Sequence, residues 1–494
     1  MRYFLALLFF AIATARGAPP ANDGIFPCSG KAGATVEVEL SGKANPWPPS
    51  FWCSNPNISF SPAEKAPRVT LTIPSDVSPG AVLIRTWNAE GCSEPFLFLI
   101  AAATERSIVE DEKQKNRSLG EAAVITEPLP CVIHGRLNPS KDVDCYQITL
   151  KQGETFYAYM EGYTFRNGID SMVHLYHPNG SRVMVAHDNA VNQDPQLIYQ
   201  VPESGNYTLA VMAIATPPTA NVHFHGGTKC SYRINLARHI KDLPSRLVPA
   251  KGKPDAEISK ALTPPIDIFR TLSKPGAADS VTFTAKAKES YQIDVEAFPH
   301  SFSTDPVLSL YRPDDKLIKV IDDGKKDYPD SNYLYKSTVD GEHKLVIKDR
   351  YDRGGSDFRY RLRIYEPTPG ISATVDKSNY TIEAGKEISV KIKITRSNGH
   401  KAPLKLEVDG LPAGVTIAET PEVPEKSGEV TLKLKATNEA PSKQGAFRIA
   451  LKGTEGDKPE AIPAVFSFQD KTTFAPFLID EVRDLWLTVK AKKP

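Results

Sequence analysis

The chain has 494 residues, 40% of them hydrophobic and 24% charged, which is the make-up of folded protein rather than a disordered tract. At roughly 100–200 residues per domain it divides into three to five domains. Sixty Lys and Arg against 59 Asp and Glu leave a formal net charge of +1, so no global field draws it to nucleic acid or an anionic membrane. The 41 prolines and 31 glycines punctuate the chain at the short intervals that turns between strands require.

Residues 1–18 read as a secretory signal peptide: Arg2, an apolar run from Phe4 to Ala13, then the small residues Ala15, Gly17 and Ala18. No later run is long enough to cross a bilayer, so the mature chain is expected to be secreted, periplasmic or held at the cell surface. Six cysteines suit that compartment. Of the 15 pairings six cysteines allow, the preferred ones are Cys53–Cys92 within the first domain and Cys145–Cys230 within the next. Cys28–Cys131 is then left to bridge two domains.

Residues 19–102 read as a small immunoglobulin-like sandwich. TVEVEL and VTLTIP alternate with period two, placing Val36, Val38 and Leu40 on one face and Leu71 and Ile73 on another. The polar stretch 103–123 reads as a linker. Eight strands are expected in 124–240, punctuated by the turn sequences HPNG and ESGN. That pattern is a jelly-roll-like sandwich. Residues 241–260 form a Pro/Lys-rich linker, and 261–366 carry seven further strands. Residues 367–470 read as a second immunoglobulin-like sandwich, with Val390, Ile392 and Ile394 facing in and Lys391, Lys393 and Thr395 facing out. Residues 471–494 are read as a C-terminal tail whose Phe477, Leu478, Val482, Leu485 and Trp486 can pack on a neighbouring domain. The fold class is therefore all-β: tandem β-sandwich or jelly-roll domains flanked by immunoglobulin-like sandwiches.

The two central domains are copies of one module. Asp144, Asp170, Tyr176, Pro178 and Asp188 recur as Asp279, Asp305, Tyr311, Pro313 and Asp323, each 135 positions on (279 − 144, 323 − 188). HLYHPNGSRVMVAHDN stands against SLYRPDDKLIKVIDDG, and one inserted residue later VPESGNYTLAV stands against TVDGEHKLVI. A fixed register over about 45 residues marks a duplicated unit.

The first copy, from GRLNPSKDVDCYQITLKQGE through GIDSMVHLYHPNGSRVMVAHDN and DPQLIYQVPESGNYTLAV to YRI, resembles the bacterial pre-peptidase C-terminal domain. The second keeps Asp279, Asp305, Leu310, Tyr311, Asp322, Asp323 and Gly341 of that pattern, and has His343 where the family prefers Tyr. PAGVTI after EVDGL resembles the last immunoglobulin-like domain of large exported proteins of planctomycete-type bacteria, in which tandem copies of this module occur. The resemblance implies an exported, β-rich protein. Such modules accompany secreted peptidases without being catalytic themselves, and some members bind collagen-like or other extracellular polymers.

No reaction is legible in the sequence. G-x-S-x-G, H-E-x-x-H and a strand–glycine loop–helix phosphate site are all absent. Calcium is the candidate ion, because hard cations take several oxygens and turn carboxylates supply them. The candidate ligands are Asp144, Asp170, Asp188 and Asp194 of the first copy, with Asp142 and Asn189 beside them. Asp279, Asp305 and Asp323 are the matching set in the second, with Asp322 and Asp330. The competing account is that each Asp shapes its own turn. His223 and His225 form an H-x-H pair, and Trp47, Phe51 and Trp52 lie in the proline-rich loop NPWPPSFWC, where aromatics can anchor a partner. The expected function is a secreted, non-enzymatic binding, adhesion or structural protein with an extracellular or envelope polymer, protein or polysaccharide, as partner. The alternatives are an exported hydrolase using turn carboxylates, or accessory domains of an extracellular protease system.

Overall fold

A computed structural model describes residues 17–492 apart from 112, 190–191, 216–222, 248–254, 301, 325–328, 454–460 and 470–475. The expected signal peptide falls almost wholly on 1–16, outside the described residues. Every regular element is a β-strand or a single 3-10 turn, and no α-helix occurs among the described residues.

The N-terminal sandwich pairs strands Gly24–Phe26, Thr35–Ser41, Arg68–Thr72 and Ser59–Pro62 in one sheet. Its second sheet holds Ser29–Lys31, Phe96–Ala101, Gly80–Asn88 and Ser50–Cys53. Val38, Leu40, Leu71 and Ile73 fill the space between the sheets. The apolar run FLFLIA is a wholly buried strand there.

The two central modules share one topology. In the first, one sheet runs Cys131–Arg136, Ser231–Ala237, Thr155–Glu161, Gln196–Gln200, and the other Asp144–Leu150, Gly205–Ala215, Ile169–Tyr176, Arg182–Ala186. In the second, Ile266–Thr271, Arg359–Tyr365, Ser290–Glu296 and Ser331–Lys336 form one sheet. Ala278–Ala285, Gly341–Asp349, Pro306–Tyr311 and Leu317–Ile321 form the other. Even the irregularity recurs: the hairpin register slips between Leu175 and Tyr176, and again between Leu310 and Tyr311. Such a bulge re-aims the strand end that follows.

The stretch 103–123 is no free linker. Ser107–Val109 adds a parallel edge to Cys131–Arg136, and Ala123–Val124 adds a parallel edge to the other sheet of the first module. Likewise the C-terminal tail carries a structural strand. Leu485–Lys490 lies between Asn379–Glu383 and Gln444–Gly453 in the last domain. Its Leu485, Leu487 and Val489 enter that domain's core, while Trp486 on the other face meets Trp52 and Trp87 of the N-terminal sandwich at 6.3 and 6.1 Å between ring centroids.

The domains therefore do not string out as the rod that four sequential sandwiches would make. The N-terminal core is completed by Phe165 from the first module and Val482 from the last domain, and Val482 is fully buried. Arg85 is buried at the same seam, donating to the carbonyls of Ser93 at 3.1 Å and Asp484 at 3.4 Å. Val482→Ala should thus destabilise the N-terminal sandwich by about 2–3 kcal/mol. A tryptophan-fluorescence urea titration reads this, and an unchanged midpoint would mean that the seam contributes nothing to that core.

None of the expected disulfides is present in the structure, where all six cysteines are free. Trp87 pairs with Ser50 on one side and with Cys92 on the other, so Cys53 and Cys92 lie across an intervening strand. Two strand spacings are roughly 10 Å, beyond the roughly 7 Å that a disulfide spans between Cα atoms. Cys145 packs with Ala210 and Met212 on the outer face of its sheet, whereas Cys230 lies in the core between the sheets. Burial pushes the thiols up, Cys28, Cys92 and Cys230 to about 12 and Cys53, Cys131 and Cys145 to about 11, where little thiolate is available to react.

Candidate metal-binding clusters in the central modules

The aspartates read as one calcium set separate into three environments, each repeated in both modules. The first is a turn anchor. Asp194, 3% exposed, accepts the backbone N–H groups of Gly162, Tyr163 and Thr164 at 2.7–3.1 Å. Its counterpart Asp330 accepts those of Ala297 and Phe298 at 2.8 and 3.0 Å. Each carboxylate stitches the 3-10 turn that follows its module's third strand. Burial outweighs these bonds and raises both to about 6. Asp194 and Asp330 are shaping residues: both Asp194 oxygens serve the backbone, while Asp330 does so through Oδ1 alone.

The second environment surrounds Asp144. Tyr232 donates its hydroxyl to Asp144 Oδ2 at 2.6 Å, and the Tyr146 and Tyr232 hydroxyls lie 2.7 Å apart. Glu110, carried in by the edge strand Ser107–Val109, stands against Asp144. Burial first, and the Glu110 carboxylate second, push Asp144 up to about 9. Burial raises Glu110 as well. Asp142 accepts from the Asn138 and Val143 N–H groups and pairs with Arg117 at 2.9 Å. A polar cavity of about 440 Å³ opens on Glu110, Asn116, Asp142 and Asp144.

The second module resolves the same position differently. Arg270 holds Asp279 with two bonds of 2.7 and 2.8 Å, and the Tyr360 hydroxyl adds a third at 2.8 Å. Gly135 occupies the register of Arg270, each facing a tyrosine across the ladder. A side chain at Gly135 would collide with Tyr232. Asp279 thus has a built-in cation, while Asp144 has a second acid.

The third environment lies at the end of a hairpin. In the first module Asp170, His187 and Asp188 each bring one ligand atom within 4.8 Å of the others, and in the second Asp305, Asp322 and Asp323 do the same. Asp170 opens strand Ile169–Tyr176, and His187 and Asp188 follow its partner Arg182–Ala186. Burial, then the Asp322, Asp323 and Asp349 carboxylates working against Arg350, raises Asp305.

Sequence reasoning gathered Asp170 with Asp188 and Asp305 with Asp323, and the structure brings each pair together. It did not separate Asp144, Asp194 and Asp279 from them, and it missed Glu110 and His187. His187 was readable in the aligned blocks AHDN and IDDG, where it faces Asp322. Glu110 carried no local signal. His223 and His225 sit in a loop rather than on one strand face, and His223 is exposed.

The aromatic loop is engaged within the protein. Trp47 Nε1 donates to the Ala63 carbonyl at 2.8 Å, Phe51 stacks on Phe60 at 4.9 Å, and Trp52 meets Trp486. All three pack against the N-terminal core. Trp52, on strand Ser50–Cys53, faces a domain seam, while Trp47 and Phe51 brace their own domain.

No family model and no curated protein matches the chain. Among solved structures, the N-terminal four Ig domains of Dscam1 isoform 7.44 align over 97% of this chain and 100% of that one, at 12% identity and a TM-score of 0.22. Domains 1–6 of the surface layer protein SbsC align over 96% of this chain and 55% of that one, at 10% identity and a TM-score of 0.17. Scores this low carry no argument about function. Among the described residues no helix is long and apolar enough to cross a membrane.

Proposed function

We propose that the chain is an exported, non-enzymatic binding protein of the pre-peptidase C-terminal type, whose two central modules present one and the same edge to an extended extracellular polymer. The observation that carries this reading is a duplicated exposed apolar pair. Val185 and Ile198 are 47% and 46% exposed, and their counterparts Val320 and Leu334 are 49% and 50% exposed. All four lie on strands at the open edges of their sheets. Exposed apolar side chains on edge strands invite pairing and are normally blunted by charge. Here both copies keep them at matching positions, which suits a partner laid along a sheet edge. In this reading calcium closes the Glu110–Asp144 pair and fixes the 103–123 segment on the first module.

The test is surface binding of the mature chain to immobilised triple-helical collagen peptide and to cell-wall polysaccharide, beside the variant with serine at Val185, Ile198, Val320 and Leu334. Exposed substitutions cost little stability, about 0.5 kcal/mol or less each. Binding should weaken roughly tenfold or more, about 1.4 kcal/mol. Equal binding by the two proteins sinks the shared edge, and no binding of the parent to either material sinks the polymer reading.

A further inference from the structure

We propose that Asp170, His187 and Asp188 of the first module form a transition-metal site, for Zn²⁺ or a cation of the same borderline class, distinct from the calcium assigned above to Glu110 and Asp144. The two readings use different residues, so either can fail alone.

One ligand atom from each of the three residues lies within 4.8 Å of the others, although the shortest contacts of His187 use its two different ring nitrogens. Asp170 Oδ1 and His187 Nε2 lie 2.8 Å apart, and His187 Nδ1 lies 3.7 Å from Asp188 Oδ1. Both of the closely facing atoms are shut off from solvent, and they meet as a close ion pair whose alignment falls short of a regular hydrogen bond. Asp170 itself is only 6% exposed. A buried carboxylate oxygen paired only with a poorly aligned imidazole nitrogen is incompletely compensated. A cation accepting both lone pairs removes that deficit.

The donor set selects the ion. Imidazole with carboxylate suits zinc and its neighbours, whereas calcium takes oxygen alone. Three protein ligands leave a fourth position for water or a partner's group. Two carboxylates with a neutral imidazole are neutralised by one divalent ion.

The second module shows what the first lacks. There Asp322 replaces His187, and Arg350, which donates its backbone N–H to the Asp305 carbonyl at 2.8 Å, pairs with Asp322 through its side chain. In the first module the residue opposite Asp170 is Ile214. The duplicated hairpin thus carries a fixed cation in one copy and an imidazole with no fixed cation in the other.

The experiment is calorimetric titration of the chelator-stripped mature chain with ZnCl₂, with Co²⁺ as a visible-absorption probe of the ligand set. Zinc should bind one site at micromolar or better affinity, and Co²⁺ should show ligand-field bands. His187→Ala, at a half-exposed position, should weaken zinc roughly tenfold or more and erase the bands. Asp170→Asn should do the same, and His187→Asp should shift preference toward Ca²⁺. The paired change His223→Ala with His225→Ala removes the other clustered imidazoles and should leave binding intact. Zinc binding unchanged in His187→Ala, binding lost in the His223/His225 variant, or no binding below about 100 µM would each overturn the proposal.

Discussion

Asparagine in place of Asp144 should stabilise the chain in EDTA by about 2–4 kcal/mol at pH 8 and flatten its stability between pH 5 and 8. In the unfolded chain the Asp144 carboxyl ionises near pH 3.9. In the fold, burial and then Glu110 hold it protonated up to about 9. Between those two values the folded state binds more protons than the unfolded one, so stability falls as pH rises, by at most about 1.4 kcal/mol per pH unit. Asparagine keeps an acceptor for the Tyr232 hydroxyl and has no charge to bury. Calcium should work in the opposite direction on the parent, raising its melting temperature with concentration because it binds only the folded pair. That response should vanish in Asp144→Asn. A parent whose melting temperature is flat with pH, and identical in calcium and in EDTA, would show that the Glu110–Asp144 pair is an ordinary buried hydrogen bond.

The larger loss should come from Glu161→Ala, about 3–5 kcal/mol. Glu161 and Arg233 are both fully buried, with Arg233 Nε 3.4 Å from the Glu161 carboxylate. Arg246 approaches Glu161 to 2.7 Å, and Asn235 donates to it at 2.9 Å. Arg233 also reaches Ser29 of the N-terminal sandwich at 2.9 Å and Glu105 at 2.9 Å. Removing Glu161 leaves Arg233 buried with too little counter-charge at the seam between two domains. Burial alone would raise Glu161, but Arg233 and Arg246 overcome it and hold the carboxyl below its usual range. Its contribution is therefore complete above about pH 4.3 and is lost as pH falls through the depressed folded value. The gap between parent and variant in urea midpoint should close in acid. A loss under about 1 kcal/mol at pH 7 would show that the network is dispensable.

Much of the fold was legible because strands write themselves locally. VKIKI alternates so strictly that Val390, Ile392 and Ile394 are fully buried and their neighbours exposed. The 135-residue register carried the topology of one module onto the other, down to the bulge beside Tyr176 and Tyr311. The same alternation argued against one expected disulfide. In DCYQITL the core takes Tyr146, Ile148 and Leu150, so Cys145 must face outward, away from Cys230. The aspartates were harder, since a carboxylate that caps a turn and one that holds a cation look alike in sequence. Only their partners differ: three backbone N–H groups for Asp194, an arginine for Asp279, a second acid for Asp144.

By itself the sequence determined the all-β class and the duplicated module, which follow from period-two burial and a fixed internal spacing. Tertiary structure alone decided that Glu110 meets Asp144 and that Val482 and Phe165 complete a core begun hundreds and tens of residues away. It also decided that Trp52 faces Trp486 across a domain seam. Those contacts join segments distant along the chain, and an apolar or acidic side chain carries no mark of the partner it will bury against.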